Sequence, residues 1–77
     1  MLDTMSSVQD HRRLLGHTVW SIRKKAGMTQ EDLAGKSGLS TVFISRVERG
    51  VESPSVDSLV KIAGALQVKV ADLVAEK

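Results

Sequence analysis

Residues 29–50 read TQEDLAGKSGLSTVFISRVERG, and the punctuation of this stretch decides the fold. Thr29 is a hydroxyl residue followed three positions later by an acid, Asp32, the spacing at which a cap satisfies free N–H groups at a helix start. Leu33 and Ala34 then face inward, and Gly38 supplies a stop. Only Leu39 and Ser40 intervene before a second start, where Ser40 caps a helix that begins at Thr41, ends at Arg49 and is terminated by Gly50. The segment therefore reads as two short helices joined by a tight turn.

Working outward, Gly and Pro divide the rest of the chain into further helical stretches, and none reads as a strand. A first helix starts near Ser7, with Asp10 three positions on, and ends at Ala26 before Gly27; Leu15, Val19, Ile22 and Ala26 mark its expected buried stripe. After Ser53 and Pro54, Ser55 caps a fourth helix whose Val56, Leu59, Val60, Ala63 and Leu66 are expected on one face. A last helix from about Val70 to Ala75 closes the chain. The expected architecture is all-α, a compact five-helix bundle forming a single domain over residues 1–77, with its core at about residues 8–75 and a short N-terminal arm.

Composition narrows the function classes. A chain of 77 residues forms one domain at most and has little room for an enclosed active site. Without cysteine there is no disulfide framework and no thiolate metal site, so packing alone holds the core. No apolar run approaches the roughly 20 residues needed to cross a bilayer, and residues 1–10 lack the basic and apolar blocks of a signal peptide. The expectation is a cytoplasmic protein with no membrane partner. His11 and His17 are six apart and point in different directions on one helix, and no His or carboxylate cluster has metal-ligand spacing, so neither an enzyme nor a bound cofactor is expected.

The net charge is only +2, but its distribution is uneven. Residues 11–50 carry eight Lys or Arg against three Asp or Glu, a net of +5, while the remainder carries three against six, a net of −3. An anionic partner would sit on the basic half. Two short helices around a Gly-containing turn are the pattern of a helix-turn-helix, whose second helix enters the DNA major groove, although spacing alone also fits a generic helical bundle.

The blocks Thr29-Gln30-Glu31-Asp32-Leu33-Ala34, Gly38-Leu39-Ser40, Ile44-Ser45-Arg46-Val47-Glu48-Arg49-Gly50 and Pro54-Ser55 together resemble the Xre/Cro family of prokaryotic and phage repressors. The resemblance runs from about Leu15 to Val74. It implies a sequence-specific transcriptional regulator that binds double-stranded DNA as a homodimer, either a stand-alone repressor or a controller protein. It also implies that Gln30, first in its helix, holds a phosphate, where main-chain N–H groups favour an anion. The family's base-reading positions fall on Thr41, Val42 and Arg46, and helical geometry agrees, because these project from one side while Ile44 and Val47 turn inward. Arg46 can bond guanine O6 and N7 as a fork, Val42 can touch a thymine methyl, and Thr41 can reach a base edge or phosphate. Ser40, Ser45 and Arg49 are expected on phosphates, with Lys36 adding charge. Arg23 and Glu48 match a pair of family positions that join the first and third helices in a salt bridge.

Phe43 is read as a core residue, with packing on the sugar–phosphate backbone as the alternative, and Trp20 as core or interface rather than a ligand-stacking group. Val68, Val70, Leu73 and Val74 are more apolar than a short terminal segment needs, which locates the expected dimer interface. Three features depart from the family: Gln67 stands where Gly or a small polar residue commonly ends the fourth helix, Lys69 replaces the usual capping Ser of the fifth, and the loop Val51-Glu52-Ser53 lacks the basic residues some relatives use on the backbone. An antitoxin that carries the same domain and neutralises a partner toxin is the alternative reading.

Overall fold

Four helices begin on a side-chain hydroxyl, and each makes the bond that its spacing predicts. The computed structural model describes residues 7–74, which form α1 (Val8–Lys25), α2 (Gln30–Ser37), α3 (Thr41–Glu48), α4 (Val56–Leu66) and α5 (Val70–Val74). Oxygen atoms of Ser7, Thr29, Ser40 and Ser55 accept from the backbone N–H groups of Asp10, Asp32, Phe43 and Ser58 at 2.9–3.1 Å. At α2 the box is reciprocal, since Thr29 N–H donates to Asp32 Oδ2 at 2.9 Å. Hydrogen bonding from Thr29 to the Asp32 carboxyl, its backbone N–H foremost and its side chain second, holds that carboxyl below its ordinary pKa.

α5 has no hydroxyl at its start, as Lys69 foreshadowed. Asp72 substitutes from within the helix: its Oδ2 accepts from Lys69 N–H at 2.9 Å. Gln67 takes the left-handed conformation at φ 60°, so α4 ends at Leu66 in the place where a glycine would be strain-free. The expected end of the last helix at Ala75, and the N-terminal arm, lie outside the described residues.

Every helix contributes to one core. Val19, Leu33, Ile44, Val47, Ile62 and Leu73 are wholly buried, with Leu15, Ala34, Ala63 and Leu66 beside them. α2 and α3 pack as a pair, α1 lies across α3, α4 supports α2, and α5 joins α1 to α4. Three expectations change. Ala26 is exposed at the C-cap of α1, and Arg23 is buried on that stripe instead. Val56 and Val60 are exposed, because the axis of the α4 contact runs through Leu59, Ile62, Ala63 and Leu66 and leaves these two valines at its margin. Leu73, expected at a dimer interface, is sealed in this core.

The crossing of α1 over α3 depends on a missing side chain. A Cβ at Gly16 would lie 2.5 Å from Val47 O and 2.7 Å from Glu48 O, so only glycine lets the backbone of α1 approach the carbonyl end of α3 this closely. These contacts are with backbone, which cannot swing aside. Gly16→Ala is therefore expected to lower the free energy of unfolding by about 1 to 3 kcal/mol in chemical denaturation. Gly35→Ala is the control: its Cβ would meet nothing within 4 Å, and removing a flexible residue from a helix interior should raise stability by about 0.5 to 1 kcal/mol.

Candidate nucleic-acid interface

The last turn of α3 carries an acid, Glu48, whose side chain is almost entirely buried, and two neighbours converge on it. Arg23 Nε donates to Glu48 Oε2 at 2.7 Å and Arg23 Nη2 to Glu48 Oε1 at 3.0 Å. Gln30 Nε2 donates to the same Oε1 at 3.0 Å, and Arg23 Nη1 donates to Met28 O at 2.8 Å. The side chains of Arg23 and Glu48 are only 8% and 4% exposed, so this is a desolvated pair with its hydrogen-bonding capacity largely met. The bonds from Arg23 to Glu48 outweigh the cost of burial and raise the guanidinium pKa above its ordinary value.

Local chain geometry brings these groups together. At the end of α1, Gly27 N–H bonds Lys24 O at 3.0 Å and Met28 N–H bonds Arg23 O at 3.1 Å, a Schellman turn that returns Met28 to Arg23. Gln30 follows as the first residue of α2. The cluster thus ties the end of α1, the start of α2 and the end of α3, and it contains the Arg23–Glu48 pair that the family resemblance implies.

Above this base, α3 presents its outer face. Thr41, Val42 and Arg46 are exposed, Val42 at 68%, while Ile44 and Val47 on the opposite side are fully buried. Arg49 is exposed at the C-cap and Lys36 near the end of α2; Ser45 is half-buried. Ser40 is exposed, and its oxygen is engaged as the α3 cap. Gln30 is half-buried and gives one amide hydrogen to Glu48, and its amide carries a second. Phe43 packs partly buried against the core, in agreement with its core reading.

One partner escaped the sequence reading. Arg46 Nε donates to Glu52 Oε1 at 2.9 Å. Glu52 drew notice only as a place without basic charge; the signal available was its position two residues beyond Gly50, a helix-ending glycine that turns the chain back.

The expected dimer residues divide. Leu73 is core, Val68 and Val70 are half-buried against it, and Val74 is 45% exposed. Val74 borders an apolar groove of about 290 Å³ shared with Val8, Leu14 and Pro54. Trp20 is 44% exposed and stacks on His17 with ring centroids 5.9 Å apart, which removes it from the core. Among the described residues no group of three or more His, Cys, Asp or Glu is arranged to hold a metal ion, and no helix is long and apolar enough to cross a membrane.

Comparison with known proteins supplies independent context. Residues 21–73 match the family model described as helix-turn-helix. The chain is 38% identical over 65 residues to an uncharacterized HTH-type transcriptional regulator, y4dJ, of Sinorhizobium fredii, covering 84% of each chain. It is 43% identical over 63 residues to control protein C.BamHI of Bacillus amyloliquefaciens, covering 80% of this chain and 78% of that one. Its fold superposes on the restriction-modification controller protein C.AhdI of Aeromonas hydrophila with a TM-score of 0.79 at 32% identity, over 80% of this chain and 94% of the other. Several longer regulators are matched over less than half of their length.

The buried cluster and the exposed face should respond differently to truncation. Glu48→Ala strands Arg23 in a dry site and is expected to cost about 3 to 5 kcal/mol, whereas Arg46→Ala on the surface should change stability by less than about 0.5 kcal/mol. Urea denaturation measures both, and a Glu48→Ala loss as small as that of Arg46→Ala would mean that water reaches the pair.

Proposed function

The chain belongs to the helix-turn-helix family of Xre and lambda-repressor type, and from that premise we propose that it is a sequence-specific transcriptional regulator that binds double-stranded DNA as a homodimer. Its relatives are transcriptional regulators and restriction-modification controller proteins. The observation that carries the reading is the exposed row of Thr41, Val42 and Arg46 on a helix whose opposite face is buried and whose Glu48 side chain is held in a dry ion pair. A reader of bases needs that combination, because exposed side chains must reach the groove from a backbone that does not move.

The roles follow from chemistry. Arg46 forks onto guanine O6 and N7, Val42 packs on a thymine methyl, and Thr41 meets a base edge or phosphate. Gln30 gives its remaining amide hydrogen to a phosphate at the start of α2, where the helix terminus itself attracts anions. Ser40, Ser45, Arg49 and Lys36 add phosphate contacts or positive charge. The protein acts by binding rather than catalysis, and its place of work is the cytoplasm. The antitoxin alternative finds no support among the relatives.

Raising salt should reduce affinity steeply, log K falling by about 0.9 per decade of salt for each phosphate contacted; a flat response would overturn the DNA-binding reading. In the same assay Arg46→Ala should lose about 1 to 3 kcal/mol at one base pair per half-site, while Gln30→Ala weakens all duplexes alike. Losses in both variants that are blind to sequence would remove Arg46 as a base reader.

One eight-residue helix touches too few base pairs for useful specificity, which favours two copies on a palindromic site with their α3 helices roughly 34 Å apart. We assign the dimer contact to the outer side of α5, centred on Val74 and including the exposed parts of Val68 and Val70, with Leu73 behind them as core. Val74→Glu is expected to give a folded monomer with weakened operator binding, and Leu73→Glu an unfolded chain. Mass in solution and circular dichroism distinguish these outcomes, and a dimer that survives Val74→Glu lies on another face.

A further inference from the structure

The turn that ends α3 delivers a carboxylate to the residue most suited to read a base. Gly50, at φ 77°, bonds Val47 O through its N–H, and Val51 N–H bonds Arg46 O, each at 3.1 Å, so the chain doubles back along the last turn of the helix. It is then fastened to α1 on either side of residue 52. Gln9 Nε2 donates to Gly50 O at 3.1 Å, and Arg12 Nε donates to Ser53 Oγ at 2.6 Å. Gly50 is packed against α1 as well, for a Cβ there would meet Arg13 Cα at 3.3 Å. Pro54 follows with its φ constrained by the ring.

Glu52 therefore sits on a loop anchored at both flanks, and its Oε1 accepts from Arg46 Nε at 2.9 Å. The two side chains are 47% exposed for Arg46 and 29% for Glu52, and an ion pair so open to water adds little to stability. Its geometric effect is larger. An arginine side chain is long and rich in rotamers, and a fork onto guanine requires one of them. The bond to Glu52 uses Nε, and the Nη1/Nη2 edge of the guanidinium takes no part in it.

We propose that Glu52 is a positioning residue for DNA recognition: it holds the Arg46 guanidinium through Nε and presents its Nη1/Nη2 edge to one guanine in each half-site. The inference rests on the reading of Arg46 as a base contact. Glu52 raises selectivity rather than general affinity, because a carboxylate beside the phosphate backbone opposes sequence-independent binding while it orders the guanidinium.

The intact chain tests this. Selection from random duplexes identifies the site, and affinities are then measured for that site, for a version with the Arg46-dependent guanine replaced by adenine, and for an unrelated duplex. Wild type, Glu52→Ala, Arg46→Ala and the double variant are compared. Glu52→Ala is expected to lower the guanine-over-adenine ratio by roughly three- to tenfold, a part of what a bidentate contact supplies, without weakening binding to the unrelated duplex. In the Arg46→Ala background the same substitution should leave the ratio unchanged. If Glu52→Ala leaves the ratio intact while Arg46→Ala collapses it, the positioning role is wrong and the base contact stands. If Arg46→Ala alters no base preference, the reading beneath the inference fails. An equal loss from Glu52→Ala in both backgrounds would show that Glu52 acts independently of Arg46 and would also overturn the proposal.

Discussion

The Glu48 carboxylate is the point at which three segments of the chain meet, and the orientation of α3 depends on it. It accepts two bonds from Arg23 on α1 and one from Gln30 on α2. A buried ion pair is seldom a net source of stability, since desolvation offsets most of the attraction. Its contribution is directional: a bidentate guanidinium–carboxylate contact tolerates little rotation, so α3 cannot roll about its axis without breaking it. The backbone contact at Gly16 acts on the same crossing from the steric side, setting how near α1 comes to the carbonyl end of α3.

A short helix needs such external restraint. Eight residues are too few to hold a helix in water by propensity, so α3 exists because its inner face is buried and its ends are capped. Ser40 satisfies the start, Gly50 closes the end, and Ile44 and Val47 anchor the middle. What remains for solvent is the row of Thr41, Val42 and Arg46. Packing and solvent-facing chemistry thus occupy opposite faces of one element, and residues on the outer face can be exchanged at small cost to the fold.

Arg46 links the two faces of this division. Its backbone carbonyl takes part in the turn that ends α3, and its side chain meets the acid that the turn returns. The same turn type closes α1, where Met28 is brought back to Arg23 and accepts from its guanidinium. In both places a glycine two residues beyond the helix lets an arginine in the last turn find a partner just after it. One of these arginines is buried and structural; the other stands at the surface facing a prospective ligand.

Much of this molecule was legible in its residues alone. Hydroxyl caps identified helix starts at Ser7, Thr29, Ser40 and Ser55, the first two with an acid three positions on, because capping is settled within three residues and needs no distant partner. The exposed Thr41, Val42 and Arg46 were likewise expected, since they share one side of a helix whose other side must be buried. The pairing of Arg23 with Glu48 came only from resemblance, as two charges 25 positions apart carry no local signal. Tertiary structure decided the rest. Whether Ile62 or Val60 faces the core depends on the angle at which α4 meets its neighbours, and whether Leu73 is core or interface depends on what α1 and α4 leave uncovered. The closeness demanded at Gly16 and the return of Glu52 to Arg46 belong to the same class. Caps and periodicity are properties of a few consecutive residues, whereas burial and side-chain pairing between segments exist only once the helices have packed.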